Sequence, residues 1–325
     1  MAKIESGTIK HGILSHLKQD IPASIVVLFV ALPLCLGISL ASGAPLFSGL
    51  IAGIIGGIVV GSISDSAHGV SGPAVGMAVV VFEALHSMSF EIFLLAVVIG
   101  GALQIILGLA RAGIIGYFFP SSAIKGMLAG IGIIIIIKQI PHAFAEVPIA
   151  FISVVILLLW ELYLTKKYNI FKLIQGAIVV VVAAVCCQFI TKSYFPQFAV
   201  SAEHLVSMPV AGSITSFLGL FTFPDFSQFG NKEVYILGVT IAVVASLETL
   251  LCVEATDKLD PHKRVTSTNR ELFAQGAGNI LSGMIGGLPI TQVVVRSSAN
   301  IQAGSRTKLS TILHGFFLLI CVAFI

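Results

Sequence analysis

The sequence predicts an all-α polytopic membrane protein, and three observations carry that prediction. Of its 325 residues, 57% are hydrophobic and only 10% are charged, against about 25% charged in an ordinary soluble domain. Mean hydropathy is +1.04, so lipid has to be the solvent for most of the surface. The apolar residues fall into long runs separated by polar turns. The third observation is the placing of charge. With the N-terminus in the cytoplasm and the sides alternating, fourteen of the 18 Lys and Arg lie inside. Lys138, Lys192 and Lys232 lie outside, and Arg296 falls within the membrane. That bias is the one cytoplasmic loops carry. The net charge of +3 is scattered over loops and forms no basic stripe, which excludes a nucleic-acid partner.

The apolar runs read as eleven spans: residues 21–42, 46–63, 71–85, 91–109, 122–137, 148–165, 172–190, 234–253, 270–287, 291–303 and 308–325. A hydrocarbon core of about 30 Å takes about 20 helical residues. The third and tenth spans are too short to cross alone as helices. Span 1 carries a break at Pro33 in ALPLCLG. The last span is still apolar at Ile325, as expected of a chain cut within a longer domain. No cleavable signal peptide precedes span 1. The stretch Thr191–Lys232 holds Pro196, Pro209 and Pro224 and reads as an extracytoplasmic loop with an interfacial helix. Cys35, Cys186, Cys187, Cys252 and Cys321 all lie in apolar runs without metal-ligand or C-x-x-C spacing.

Glu248 stands alone in VYILGVTIAVVASLETLLCV, residues 234–253. A carboxylate at the centre of a span costs about 2.5–3.5 kcal/mol on insertion scales, and such residues face a cavity or a bundle interior. Span 3 opens in SDSAHGVSGPAVGMAVVV and span 10 in GGLPITQVVVRSSAN. Paired short, Gly/Pro-interrupted segments mark the binding site in transporters built from inverted repeats. The free N–H groups of two half-helix ends would favour an anion. The spacing supports a repeat: Pro73 lies 40 residues after Pro33, and Pro289 lies 41 after Glu248.

The elements DSAHGVSGPAVG, NRELFAQGAGN and GGLPITQVVVRSSANIQAG resemble those of the SulP (sulfate permease) family, and the resemblance runs through essentially the whole chain. It implies a 7+7 inverted-repeat, elevator-type fold of 14 spans, like that of the nucleobase transporters, with spans 3 and 10 discontinuous. On that reading, residues 1–20 are a cytoplasmic segment and 21–110 are core spans 1–4. Residues 111–190 are gate spans 5–7, 191–232 the extracytoplasmic loop, and 233–325 core spans 8–11 of an incomplete second repeat. Spans 12–14 and the cytoplasmic STAS domain that usually follows are absent.

The resemblance also implies a site between spans 1, 3, 8 and 10. Its substrate-binding residues would be Cys35 and Leu36 of span 1, Ser71, Gly72, Pro73 and Ala74 at the start of span 3, and Val294, Val295 and Arg296 of span 10. The coupling ion would be served by Glu248, Cys252, Gln292 and Val293. In related sodium–bicarbonate symporters an aspartate and a threonine occupy the Glu248 and Cys252 positions. A glutamate with a thiol one turn on weakens a Na+ site, since hard cations prefer oxygen, and it suits H+ as in plant-type sulfate transporters. Each residue has a plainer reading. Glu248 and Arg296 form a structural pair, Ser71 is a helix cap, and Cys35 and Leu36 are core.

The expected function is secondary active transport of a small inorganic oxyanion, bicarbonate or sulfate, coupled to Na+ or H+. It would take place in the plasma membrane, by a homodimer of the full-length protein, with no cofactor beyond Na+. The alternatives are an uncoupled anion channel or exchanger and a C4-dicarboxylate transporter. No P-loop, nucleophile elbow or zincin motif indicates an enzyme. Glu83 and Gln104 read as structural hydrogen-bonding residues, His68 and His314 as interface residues near span ends. The charged run Asp257–Arg270 reads as a solvated loop.

Overall fold

The computed structural model describes residues 13–118, 147–167, 176–194 and 219–324, with isolated positions between 119 and 146. Expected span 5 and most of the loop 191–232 lie outside the described residues, as do residues 1–12.

Helix α1 runs Leu17–Ala41 straight through Pro22 and Pro33. The expected break at Pro33 does not occur. Proline removes one backbone bond, but a break would strand several more polar groups in an apolar surrounding. Helix α2, Leu46–Ile63, contains a π turn at Gly56–Val60. It is wedged between α1 and the last helix through glycines. A Cβ at Gly53 would lie 2.7 Å from Cys35 Sγ and 2.8 Å from Leu318 Cδ2, and one at Gly57 would lie 2.6 Å from Gly315 Cα.

Next come strand β1 (Ser71–Pro73), helix α3 (Val75–Ser87) and helix α4 (Phe90–Leu109). Helices α5 (residues 147–167) and α6 (Gly176–Tyr194) follow. The second set is α7 (Lys232–Leu259), α8 (Thr268–Met284), strand β2 (Ile290–Gln292), α9 (Val294–Gln302) and α10 (Leu309–Phe324). Among the described residues, α1, α2, α4 and α7 are long and apolar enough to cross a membrane. Helix α7 extends beyond its expected end at 253, where Glu254 and Lys258 pair across one turn outside the apolar run.

The two discontinuous segments meet as an antiparallel pair, with Ser71 opposite Gln292, Gly72 opposite Thr291 and Pro73 opposite Ile290. This corrects the expected helix starts. Residues Ser71–Pro73 are strand and α3 begins at Val75; Ile290–Gln292 are strand and α9 begins at Val294. Residues before proline avoid the helical region, which sets Gly72 and Leu288 extended, and the β-branched Ile290, Thr291 and Val293 favour the same state.

Helix α8 fastens this pair from one side with polar groups. Glu271, Gln275, Asn279 and Ser282 share a face and are all buried. The Glu271 carboxylate accepts from Ser64 Oγ and from Gln275 Nε2 (2.9 Å). Gln275 Nε2 also donates to Ser71 Oγ of β1 (2.7 Å). Asn279 brackets Ile290 of β2, accepting from its N–H at 2.6 Å and donating to its C=O at 3.0 Å. Asn279 also donates to Gln104 Oε1 (2.6 Å), and Gln104 donates to Ser246 Oγ of α7 (3.3 Å). Gln104 thus has its expected hydrogen bonds, whereas Glu83 lies exposed on α3.

The charged run after α7 is not a freely solvated loop. Asp260 is buried and accepts from the Arg264 side chain (Nε, 2.7 Å) and the His262 amide (2.9 Å). Burial alone would raise the Asp260 carboxyl, but these bonds and the Arg264 charge outweigh it and hold it below the usual carboxylate range. His68 is also buried rather than interfacial. Its Nδ1 meets Ser305 Oγ at 2.7 Å and its Nε2 meets Arg264 Nη2 at 2.6 Å. Burial, followed by the Arg264 charge, pushes the His68 imidazole down. Asp20 of α1 accepts from the amides of Arg306 (2.7 Å) and Thr307 (3.2 Å) and from Thr307 Oγ1 (2.6 Å).

Candidate functional site

The β pair aims two helix starts at helix α7. Ala74 and Val293 are the N-cap residues of α3 and α9, and neither makes a side-chain capping bond. Their first-turn N–H groups are therefore open to other acceptors. Helix α7 supplies one side chain to each. The Glu248 carboxylate is 9% exposed. It sits at the Gly76 amide of α3, so close that a Cβ on Gly76 would lie 2.8 Å from Oε1. Its Oε2 has no hydrogen-bond partner. One turn further on, Cys252 Sγ faces the Val294 N–H of α9. The carboxylate and the thiol thus occupy the two half-helix ends.

Arg296 lies in the first turn of α9, completely buried. Its Nη2 reaches Cys35 Sγ on α1 at 3.4 Å, and its Nη1 presses on Gly72, where any Cβ would overlap it. Its Nε and Nη1 have no hydrogen-bond partner. The expected structural pairing with Glu248 is not made: among the described residues no ion pair involves either side chain. A buried guanidinium without a counter-charge costs several kcal/mol, and an anion beside it would recover much of that.

The fold brings together Cys35, Gly72 and Arg296 on one side and Glu248, Gly76, Cys252 and Val294 on the other. Ser71, Pro73 and Ala74 are buried in the crossover. Ser71 does not cap α3, because its hydroxyl is engaged by Gln275. Leu36, Val293 and Val294 are half-buried, and Val295 turns outward at 60% exposure. Gln292 points away from Glu248: its Nε2 donates to Thr256 Oγ1 (3.0 Å), and its own N–H goes to Thr249 Oγ1 (3.4 Å). Sequence reasoning missed Thr249, Gln275 and Asn279. Their signal is polarity recurring on one helical face of otherwise apolar stretches. It also placed His314 at a span end, whereas the residue is fully buried on α10. No group of three or more His, Cys, Asp or Glu able to hold a metal exists among the described residues.

Known proteins resemble this chain in sequence and in fold. The profile of the sulfate permease family matches residues 17–146 and 142–325. The YvdB protein of Bacillus subtilis (strain 168) is 26% identical over 97% of this chain and 61% of its own length. The bicarbonate transporter BicA of Picosynechococcus (strain ATCC 27264 / PCC 7002 / PR-6) is 23% identical over 94% of this chain and 57% of its own. The chain thus spans about three-fifths of the length of these relatives. Among solved structures, the transmembrane domain of a cyanobacterial bicarbonate transporter BicA superposes with a TM-score of 0.78 at 22% identity. It covers 95% of this chain and 83% of that one, a likeness of fold.

Proposed function

The chain belongs to the sulfate permease family, and from that footing we propose that it moves a small inorganic oxyanion, bicarbonate or sulfate, by coupled secondary transport. The observation that carries the reading is Arg296, a fully buried cation with two unpartnered N–H-bearing nitrogens, set behind two half-helix N-termini. The anion binds where those ends converge and gains from both partial charges and the guanidinium. Family membership and the absence of any motif for bond-making chemistry support movement of a solute rather than its transformation.

Glu248 is the coupling group. It already fills the anion-attracting end of α3, so a second negative charge arriving there is repelled unless the carboxylate is neutralised. A proton is the better candidate than Na+, because the adjacent Cys252 and Val293 offer no side-chain oxygen for a hard cation. Alternating access follows the elevator route, with the two sets α1, α2, β1–α3, α4 and α7, α8, β2–α9, α10 as inverted repeats forming the core. A constant offset of 219 residues supports the repeat, since it carries Ser71–Pro73 onto Ile290–Gln292 and Phe90 onto Leu309. The protein works as a homodimer in the plasma membrane with its N-terminus in the cytoplasm.

The test is Glu248→Gln in liposomes loaded at different internal pH and Na+. Wild-type uptake of labelled bicarbonate or sulfate rises with an imposed proton gradient, and the variant loses that response while still exchanging anion for anion. Full gradient dependence in the variant removes Glu248 from coupling.

A further inference from the structure

His314 lies on α10, one helical turn before Leu318, against Gly57 of α2, while Arg296 Nη1 presses on Gly72, whose Cβ position lies 3.6 Å from the Cα of Gly53, one turn before Gly57. The Gly53 position borders Cys35 Sγ and Leu318, and Gly57 borders Gly315 and His314 Cε1. Asn300 ties α9 to α10 here, its Nδ2 lying 3.5 Å from Thr311 Oγ1 of α10. Asn300 is one turn after Arg296 on α9, on the same side of the helix, and it too is fully buried.

The orientations of both side chains are fixed by their bonded ends. His314 Nδ1 sits 3.0 Å from the Thr311 carbonyl, which can only accept, so Nδ1 carries the hydrogen and Nε2 is a bare acceptor. Asn300 Nδ2 donates to the His68 carbonyl (3.1 Å), leaving Oδ1 as the acceptor. Neither His314 Nε2 nor Asn300 Oδ1 has a partner, and neither do Arg296 Nε and Nη1. Two unpaired donors and two unpaired acceptors therefore occupy one buried neighbourhood without meeting. Water is the small group that satisfies both kinds at once, and a buried water needs two to four polar partners.

The geometry points to a bridging-water site behind the anion site, in which His314 and Asn300 hold the Arg296 guanidinium in place through water. His314 is thereby a positioning residue for anion binding. The inference rests on the anion-transport reading for its functional consequence but not for the site itself. A carboxylate in place of either acceptor would have locked Arg296 in an ion pair and cancelled its charge. Neutral acceptors orient the guanidinium while leaving that charge for the substrate.

Bicarbonate and sulfate binding to the purified protein in detergent, followed by thermal stabilisation, separates the outcomes. His314→Leu is expected to weaken the apparent affinity about five- to tenfold, the worth of one ordinary hydrogen bond. His314→Gln, which restores an acceptor, should return it to within about twofold. Equal affinities in the wild type and His314→Leu overturn the positioning role, and so does a Gln variant no better than Leu. If the wild type binds neither anion, the transport reading fails. The site is then judged by a high-resolution density map. Ordered water touching Arg296, Asn300 and His314 sustains it, and direct contact among the three side chains, or dry space, overturns it.

Discussion

Replacing Asn279 with leucine removes the clamp between α8 and the crossover at nearly constant volume. Three bonds go: those to the Ile290 N–H (2.6 Å), to its C=O (3.0 Å) and to Gln104 Oε1 (2.6 Å). Gln104 keeps its bond to Ser246, so its loss is partial. A buried polar group left without a partner costs about 1–3 kcal/mol in soluble proteins. Within membrane bundles a side-chain hydrogen bond averages nearer 0.6 kcal/mol, because the unfolded chain in lipid also finds partners. Ile290 is fully buried in a strand, where its backbone has few alternatives, so the soluble scale applies to two of the three groups. The expected loss is about 3–7 kcal/mol. The assay is reversible unfolding in mixed micelles by denaturing detergent, with the wild type measured alongside. Ile290 pairs with Pro73, so the same variant should also weaken anion binding, since the strand that sets the start of α9 is loosened. A loss under about 0.5 kcal/mol with unchanged anion affinity would refute the claim that α8 fixes the crossover.

Two further outcomes follow. Gly76→Ala puts a methyl 2.8 Å from Glu248 Oε1. Alanine gains up to about 1 kcal/mol in helix propensity, yet the carboxylate must leave the α3 end. Folding stability should change little while the proton response of uptake weakens severalfold; an unaltered response would separate coupling from that contact. Acid should loosen the His68–Asp260–Arg264 cluster. Both His68 and Asp260 are held below their ordinary pKa. Each therefore contributes stability that is full above its unfolded value, about 6.5 for histidine and 3.9 for aspartate, and that is lost as pH falls. Melting temperature should drop between pH 7 and pH 5 in the wild type and fall less in His68→Gln; parallel profiles would exclude His68 as the titrating group.

The long helices α1, α2, α4 and α7 were legible because apolar runs have to be long to cross lipid, and the burial of Glu248 and Arg296 was legible because charge in such runs is costly. The crossover strands were not. Three-residue strands give no periodicity, and their pairing joins residues more than two hundred positions apart. Gly72 and Pro73 looked like a helix start because sequence alone does not tell extended entry from helical capping. Helix α8 was read as a span from its length, yet its meaning lies in the polar face. Polarity suggests water for His68, His314 and Asp260, whereas each is buried, and His68 meets Ser305 and Arg264 from distant parts of the chain. Burial of that kind is a property of the assembled bundle.

The glycine face of α2 sets a further condition on how the protein can work. Where backbone touches backbone, as Gly57 does Gly315, no rotamers exist to trade one packing for another, and a seam of that kind has a single depth. The interior around the crossover therefore behaves as a keel, transmitting displacement without absorbing it. Compliance belongs to the outer faces, where Phe29, Val239 and Val243 are large, apolar and exposed. On the proposed transport reading, substitutions that alter the rate of rearrangement should gather on those faces, and substitutions in the seam should change folding yield instead.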